Sequence, residues 1–103
     1  FFMHSIAYVA LPGGYGTLDE LFEALVLMQT GKMPAAPVIL VGKVFWSGLS
    51  HWIHEQLLSN GLVDSADPTA FVIEDEPEAV VAHIERYYRH NATRLSSRPA
   101  LPL

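Results

Sequence analysis

The sequence predicts an α/β fold: a parallel sheet with helices covering both faces, formed from consecutive β-α-β-α-β-α elements. Three observations lead there. Short apolar runs without polar alternation recur near residues 6–11, 37–42 and 71–73, as strands buried on both faces of a parallel sheet require. Each run is followed by a stretch whose apolar residues return at helical spacing. A glycine-rich loop, Pro12-Gly13-Gly14-Tyr15-Gly16, falls where the first strand should pass into the first helix. In open parallel sheets ligands bind at that place, beyond the carboxyl ends of the strands.

Taken in order, Ile6 to Leu11 is the first strand, closed by Pro12 and the glycines. From Thr17 the period changes: Leu18, Leu21, Phe22, Leu25 and Met28 mark a helix, and Gly31 followed by Pro34 stops it. Pro37 to Gly42 is the second strand. Trp46 to Asn60 is the second helix, with Leu49, Trp52, Ile53, Leu57 and Leu58 on its apolar side and Gly61 as its terminal glycine. Asp64 to Thr69 is a turn around Asp67-Pro68. Phe71 to Ile73 is the third strand. Pro77 suits the first turn of a last helix running to about Arg89, whose buried stripe is Val80, Val81, Ile84 and Tyr88. Residues 1–90 thus read as part of one domain and 91–103, rich in Ser, Pro and Arg, as a flexible tail.

Composition sets outer limits. The 103 residues are 50% hydrophobic and carry a net charge of −5, which fits a folded globular domain and not a disordered one. The chain is short for a complete α/β nucleotide enzyme and enters an apolar strand almost at once, so upstream residues are expected to share its domain. No cysteine is present, so neither a disulfide framework nor a thiolate nucleophile is available, and a cytoplasmic location is expected. Arginines gather only at Arg86, Arg89, Arg94 and Arg98, which gives no basic stripe for nucleic acid. No apolar run reaches membrane-spanning length.

The loop carries the sharpest chemistry. Three glycines in four positions permit positive φ and let backbone approach a ligand without a Cβ in the way. Amides there, with those of the helix starting near Thr17, can converge on an anion favoured by the helix dipole. Thr17 can offer its hydroxyl to a phosphate oxygen or cap the helix. Thr17-Leu18-Asp19-Glu20 also satisfies the capping-box spacing, so Glu20 has a purely local alternative. Otherwise Glu20, one turn inside a phosphate-binding helix, addresses the attached sugar and stabilises positive charge at its anomeric carbon. No Gly-Lys-Ser/Thr follows, and the glycine spacing is not that of the dinucleotide fingerprint.

The run PGGYGTLDE resembles the PGGxGTxxE motif of the LOG ("Lonely Guy") family of cytokinin riboside 5′-monophosphate phosphoribohydrolases, many of which carry an older lysine decarboxylase-like label. The Leu-Phe-Glu-Ala helix and the segment GLVDSADPTAFVIEDEPEAVVAHI also resemble the latter half of that family. The resemblance implies a Rossmann-like three-layer fold, of which this chain is the C-terminal portion. It implies hydrolysis of the N-glycosidic bond of a nucleoside 5′-monophosphate, a cytokinin ribotide or AMP, to free base and ribose 5-phosphate. Gly13, Gly14, Gly16 and Thr17 would hold the phosphate, and Glu20 would be the catalytic carboxylate. The family pairs that glutamate with an arginine just before the motif strand, whereas here no arginine precedes Arg86. No cofactor and no metal are expected. A pyridoxal decarboxylase needs a Schiff-base lysine, and only Lys32 and Lys43 are available, neither in a suitable constellation.

The remaining residues read more plainly. His4, His51, His54, His83 and His90 are scattered; His51 and His54 with Glu55 lack a third metal ligand and are read as surface or packing residues. Trp46 and Trp52 are read as core or interface residues, and Glu74-Asp75-Glu76 as a solvated helix start. Asp19 is expected to face solvent, and Glu23 is a secondary candidate. The first helix is apolar around much of its circumference, which predicts a homodimer or higher homo-oligomer. The alternative function is a non-catalytic binder of a nucleotide or phosphorylated cofactor using the same loop.

Overall fold

The computed structural model describes residues 7–64 and 71–90. Its order is β1 (Tyr8–Ala10), α1 (Tyr15–Gln29), β2 (Val38–Val41), α2 (Lys43–Trp52) with a π-helical continuation (Ile53–Leu58), β3 (Phe71–Glu74) and α3 (Pro77–His90). This is the β-α-β-α-β-α succession expected, a partial Rossmann-like α/β fold. The three strands are parallel, in the spatial order β1-β2-β3. The expected readings of Ile6, His4, the Asp67-Pro68 turn and the 91–103 tail lie outside the described residues.

The register places Tyr8, Val38 and Phe71 side by side, then Ala10, Leu40 and Ile73. Alternation sends these six to one face. There they join Leu21, Ala24 and Met28 of α1 and Trp46 of α2 in a single apolar cluster. Ile39, Leu40 and Val38 are almost wholly buried, so β2 is the centre of the core, as its uninterrupted apolar run predicts.

One expectation about the faces changes. α1 and α2 share one face, because successive crossovers of the same hand in a sheet that grows one way put both helices on the same side. The second face carries Val9, Ile39, Val72 and Glu74, and α3 approaches it through His83, which bonds to Glu74 at 2.6 Å. β1 is therefore not buried on both faces: Val9 remains 47% exposed.

Element limits shift by a few residues. α1 begins at Tyr15, not Thr17, and α2 at Lys43, not Trp46. Beyond Trp52 the helix widens, with Ser59 N–H reaching the His54 carbonyl five residues back, and it closes with Gly61 N–H on the Leu58 carbonyl and Leu62 N–H on the Leu57 carbonyl. Gly31 and Gly61 end their helices at φ 76° and 72°, the left-handed geometry their placement predicts. On α3, Val80 and Ile84 face inward with His83, Tyr87 and Tyr88, while Val81 is exposed and drops out of the expected stripe. No helix among the described residues is long and apolar enough to cross a membrane.

Candidate functional site

The carboxyl ends of all three strands open onto one edge of the sheet. After β1 comes the glycine loop, after β2 the Gly42-Lys43 junction, and after β3 Asp75 and Glu76. Pro12 and Gly42 are in contact, so the first two of these connections touch: a Cβ built on Gly42 would lie 3.3 Å from Pro12 Cγ.

At the mouth of α1, Gly14 is the N-cap residue, and the first helical bond runs from Leu18 N–H to the Gly14 carbonyl at 3.1 Å. The N–H groups of Gly14, Tyr15, Gly16 and Thr17 thus have no helical acceptor. Among the described residues no side chain caps them, and the first turn contains no acid. Four outward amides at the positive end of a 15-residue helix make a place for an anion.

The neighbouring helix is different. α2 also starts at this edge, behind Gly42, and has no cap of its own. Its first N–H, on Lys43, donates to Asp75 Oδ1 at 2.7 Å, a carboxylate brought from the β3–α3 loop. The mouth of α2 is already supplied with an acid; that of α1 has none among the described residues.

Within the loop the glycines serve by absence of side chain, not by positive φ. Positive φ among the described residues occurs only at Gly31, Gly42 and Gly61, so the expectation of positive φ in the motif is corrected. The Thr17 side chain leans back toward the start of the helix, as helical side chains do. A Cβ on Gly13 would collide with the Thr17 hydroxyl oxygen and come within 3.0 Å of Thr17 Cβ. Around the places where a Cβ of Gly14 or Gly16 would stand there is open space.

The early helix start also removes the capping box. Thr17 is the third residue of α1 and Glu20 the sixth, so neither sits where a box requires it. Glu20 is exposed and, among the described residues, makes no hydrogen bond or ion pair. It lies one turn beyond Gly16 on the same flank, roughly 4.5 Å along the axis from Thr17. Asp19 and Glu23 are exposed as well. The structure therefore brings Gly13, Gly14, Gly16, Thr17 and Glu20 to one end of one helix, with Tyr15 projecting almost wholly into solvent beside them.

Sequence reasoning missed Pro12–Gly42 and Asp75. Glu74-Asp75-Glu76 is not simply a solvated start for α3: Glu74 is half-buried against His83, and Asp75 serves α2. A capping bond between residues 32 apart leaves no local signal. His51 faces Glu55 at 3.8 Å on the exposed side of α2, and no group of acids and histidines that could hold a metal occurs among the described residues. Trp46 is core at 1% exposure, whereas Trp52 is mostly exposed. Lys32 lies beyond the far end of α1, and Lys43 is exposed at α2.

A family model described as "possible lysine decarboxylase" matches residues 1–84. The chain is 34% identical over 87 residues to the cytokinin riboside 5′-monophosphate phosphoribohydrolase LOG1 of Arabidopsis thaliana, covering 82% of this chain and 39% of that protein. It is 32% identical over 72 residues to a probable phosphoribohydrolase of the same description, LOG4 of Oryza sativa subsp. japonica, covering 70% and 31%. It is 32% identical over 79 residues to a bifunctional cytokinin biosynthesis protein of Fusarium pseudograminearum, covering 77% and 16%. The chain spans well under half the length of each of these relatives.

Proposed function

The chain belongs to the possible lysine decarboxylase (LOG) family, and on that premise we propose that its protein hydrolyses the N-glycosidic bond of nucleoside 5′-monophosphates. The observation that carries the proposal is the open mouth of α1 with an unengaged carboxylate one turn deeper. The phosphate sits against the amides of Gly14, Tyr15, Gly16 and Thr17 and accepts from the Thr17 hydroxyl, while Gly13 leaves room for that side chain. Glu20, on the flank of the same helix, faces the ribose.

As the bond from the anomeric carbon to the base nitrogen lengthens, positive charge gathers on the sugar. A carboxylate held beside it lowers the barrier by electrostatic stabilisation and by gripping sugar hydroxyls. Water adds its oxygen to the anomeric carbon, its proton goes to the departing base, and the products are free base and ribose 5-phosphate. The related Arabidopsis and rice proteins are described as acting on cytokinin riboside 5′-monophosphates. Cytokinin ribotides and AMP are accordingly the substrates to try.

The decarboxylase description finds no fit in the described lysines. A Schiff-base lysine needs an enclosed, partnered site, but Lys32 and Lys43 are both exposed, and Lys32 is at the wrong end of α1. The proposal includes a second copy of the chain against the outer side of α1, where Val26 is half exposed among apolar neighbours.

The test uses the full-length protein with AMP and with isopentenyladenosine 5′-monophosphate, following free base by chromatography. Base release abolished in Glu20→Ala, with folding retained, is the expected result. Nucleotide binding without any base release would favour the non-catalytic binder instead.

A further inference from the structure

We propose that Asp75 is a positioning residue for the glycine loop, acting across the α2 start on Pro12. The inference rests on the reading of the α1 mouth as the phosphate seat and adds a residue that lies outside the motif. Two successive N–H groups at the β2–α2 junction are held by the end of β3. Gly42 N–H donates to the Glu74 carbonyl at 2.9 Å, and Lys43 N–H donates to Asp75 Oδ1 at 2.7 Å. Between those bonds Gly42 takes φ 113°, a conformation that side-chain-bearing residues rarely adopt. Pro12 packs on this glycine, with its Cγ 3.3 Å from where a Cβ would stand.

Pro12 is covalently joined to Gly13, and Gly13 is in turn pressed under Thr17. The height of Gly42 therefore sets the seat of Pro12, and the seat of Pro12 sets the entry of the loop into α1. Proline adds to the coupling because its ring fixes φ, so displacement of the ring carries the backbone with it. The peptide N–H of Lys43 needs an acceptor at a helix start with no side-chain cap of its own, and Asp75 is the acceptor supplied. Without it the junction is held by the Glu74 carbonyl alone.

The experiment is done on the full-length protein with Asp75→Ala, Asp75→Asn and Pro12→Ala. Two readouts are followed: the backbone amide resonances of Gly13, Gly14 and Gly16, and the affinity for ribose 5-phosphate by titration calorimetry. Asp75→Ala is expected to shift all three glycine resonances and to weaken ribose 5-phosphate by about tenfold or more, since small misplacements of a binding loop are costly. Asp75→Asn keeps an acceptor at Oδ1 and should stay within about twofold of the parent protein. Pro12→Ala cuts the relay at its other end and should reproduce the glycine shifts with the Lys43–Asp75 bond intact.

If Asp75→Ala perturbs only resonances at 43–46 and leaves the glycines and the affinity unchanged, Asp75 is a local cap for α2 and the proposal falls. Glycine shifts in Asp75→Asn equal to those in Asp75→Ala would overturn it too. Neither readout requires turnover. Failure to release base from both AMP and isopentenyladenosine 5′-monophosphate would defeat the glycosidase assignment while leaving the role of Asp75 standing on the glycine resonances.

Discussion

The Thr17 hydroxyl fills the space that a side chain at Gly13 would need. This favours glycine at 13 for a reason of packing, and it holds a hydroxyl over the loop beside four amides that lack helical acceptors. Gly13→Ala must push Thr17 aside or move the loop. The expected cost is about 1–3 kcal/mol of stability, as for other overpacked sites. Affinity for ribose 5-phosphate should fall further than Gly14→Ala causes, because Gly14 has open space around it. Thermal unfolding and calorimetry on the two variants decide it.

Glu20 makes no hydrogen bond or ion pair among the described residues that its removal would break. Glu20→Gln should therefore leave stability within about 0.5 kcal/mol of the parent. The rate of base release should drop by roughly 10²–10³, the scale of losing one charge-stabilising group in a transition state. A Glu20→Gln protein of reduced stability and full activity would show that the carboxylate serves the fold.

Much of this arrangement was legible in the sequence. The change from apolar run to helical period located each element, and Gly31 and Gly61 marked two helix ends correctly because left-handed termini demand glycine. The start of α1 was misplaced because Thr17 and Glu20 are three apart, a spacing that suits both a capping box and the interior of any helix. The exposed Val9 was missed because an apolar run does not reveal which faces of a strand its own chain covers. Asp75 was missed for a different reason. Its acceptor role joins two loops that only the parallel pairing of β2 with β3 brings together.

Among the described residues Trp46 is the largest wholly buried side chain, and its Nε1–H has no partner there. Removing the whole side chain and removing only the donor should therefore differ sharply. Trp46→Ala leaves a cavity between α1, α2 and the sheet and should cost about 3–5 kcal/mol. Trp46→Phe gives up packing but also deletes an unpaired buried donor worth roughly 1–3 kcal/mol, so its net cost should be the smaller by far. Denaturant titration of both variants measures the difference.

α3 has no fully buried residue, so its bond from His83 to Glu74 bears more of the docking than such a bond ordinarily would. His83→Leu should lower stability by about 1 kcal/mol. It should also speed hydrogen exchange in 80–88 ahead of the rest of the fold, as expected of a weakly packed unit that opens by itself. Uniform exchange across the helices and the sheet would contradict this.

The central claim is a location: phosphate at the start of α1 and ribose beside Glu20. A crystal structure of the full-length protein bound to ribose 5-phosphate measures that location. The account predicts phosphate oxygens at about 2.7–3.2 Å from the amide nitrogens of the Gly14–Thr17 turn, with a Glu20 oxygen bonded to a sugar hydroxyl. Phosphate bound at another edge of the sheet, or Glu20 turned away from the sugar, would contradict it.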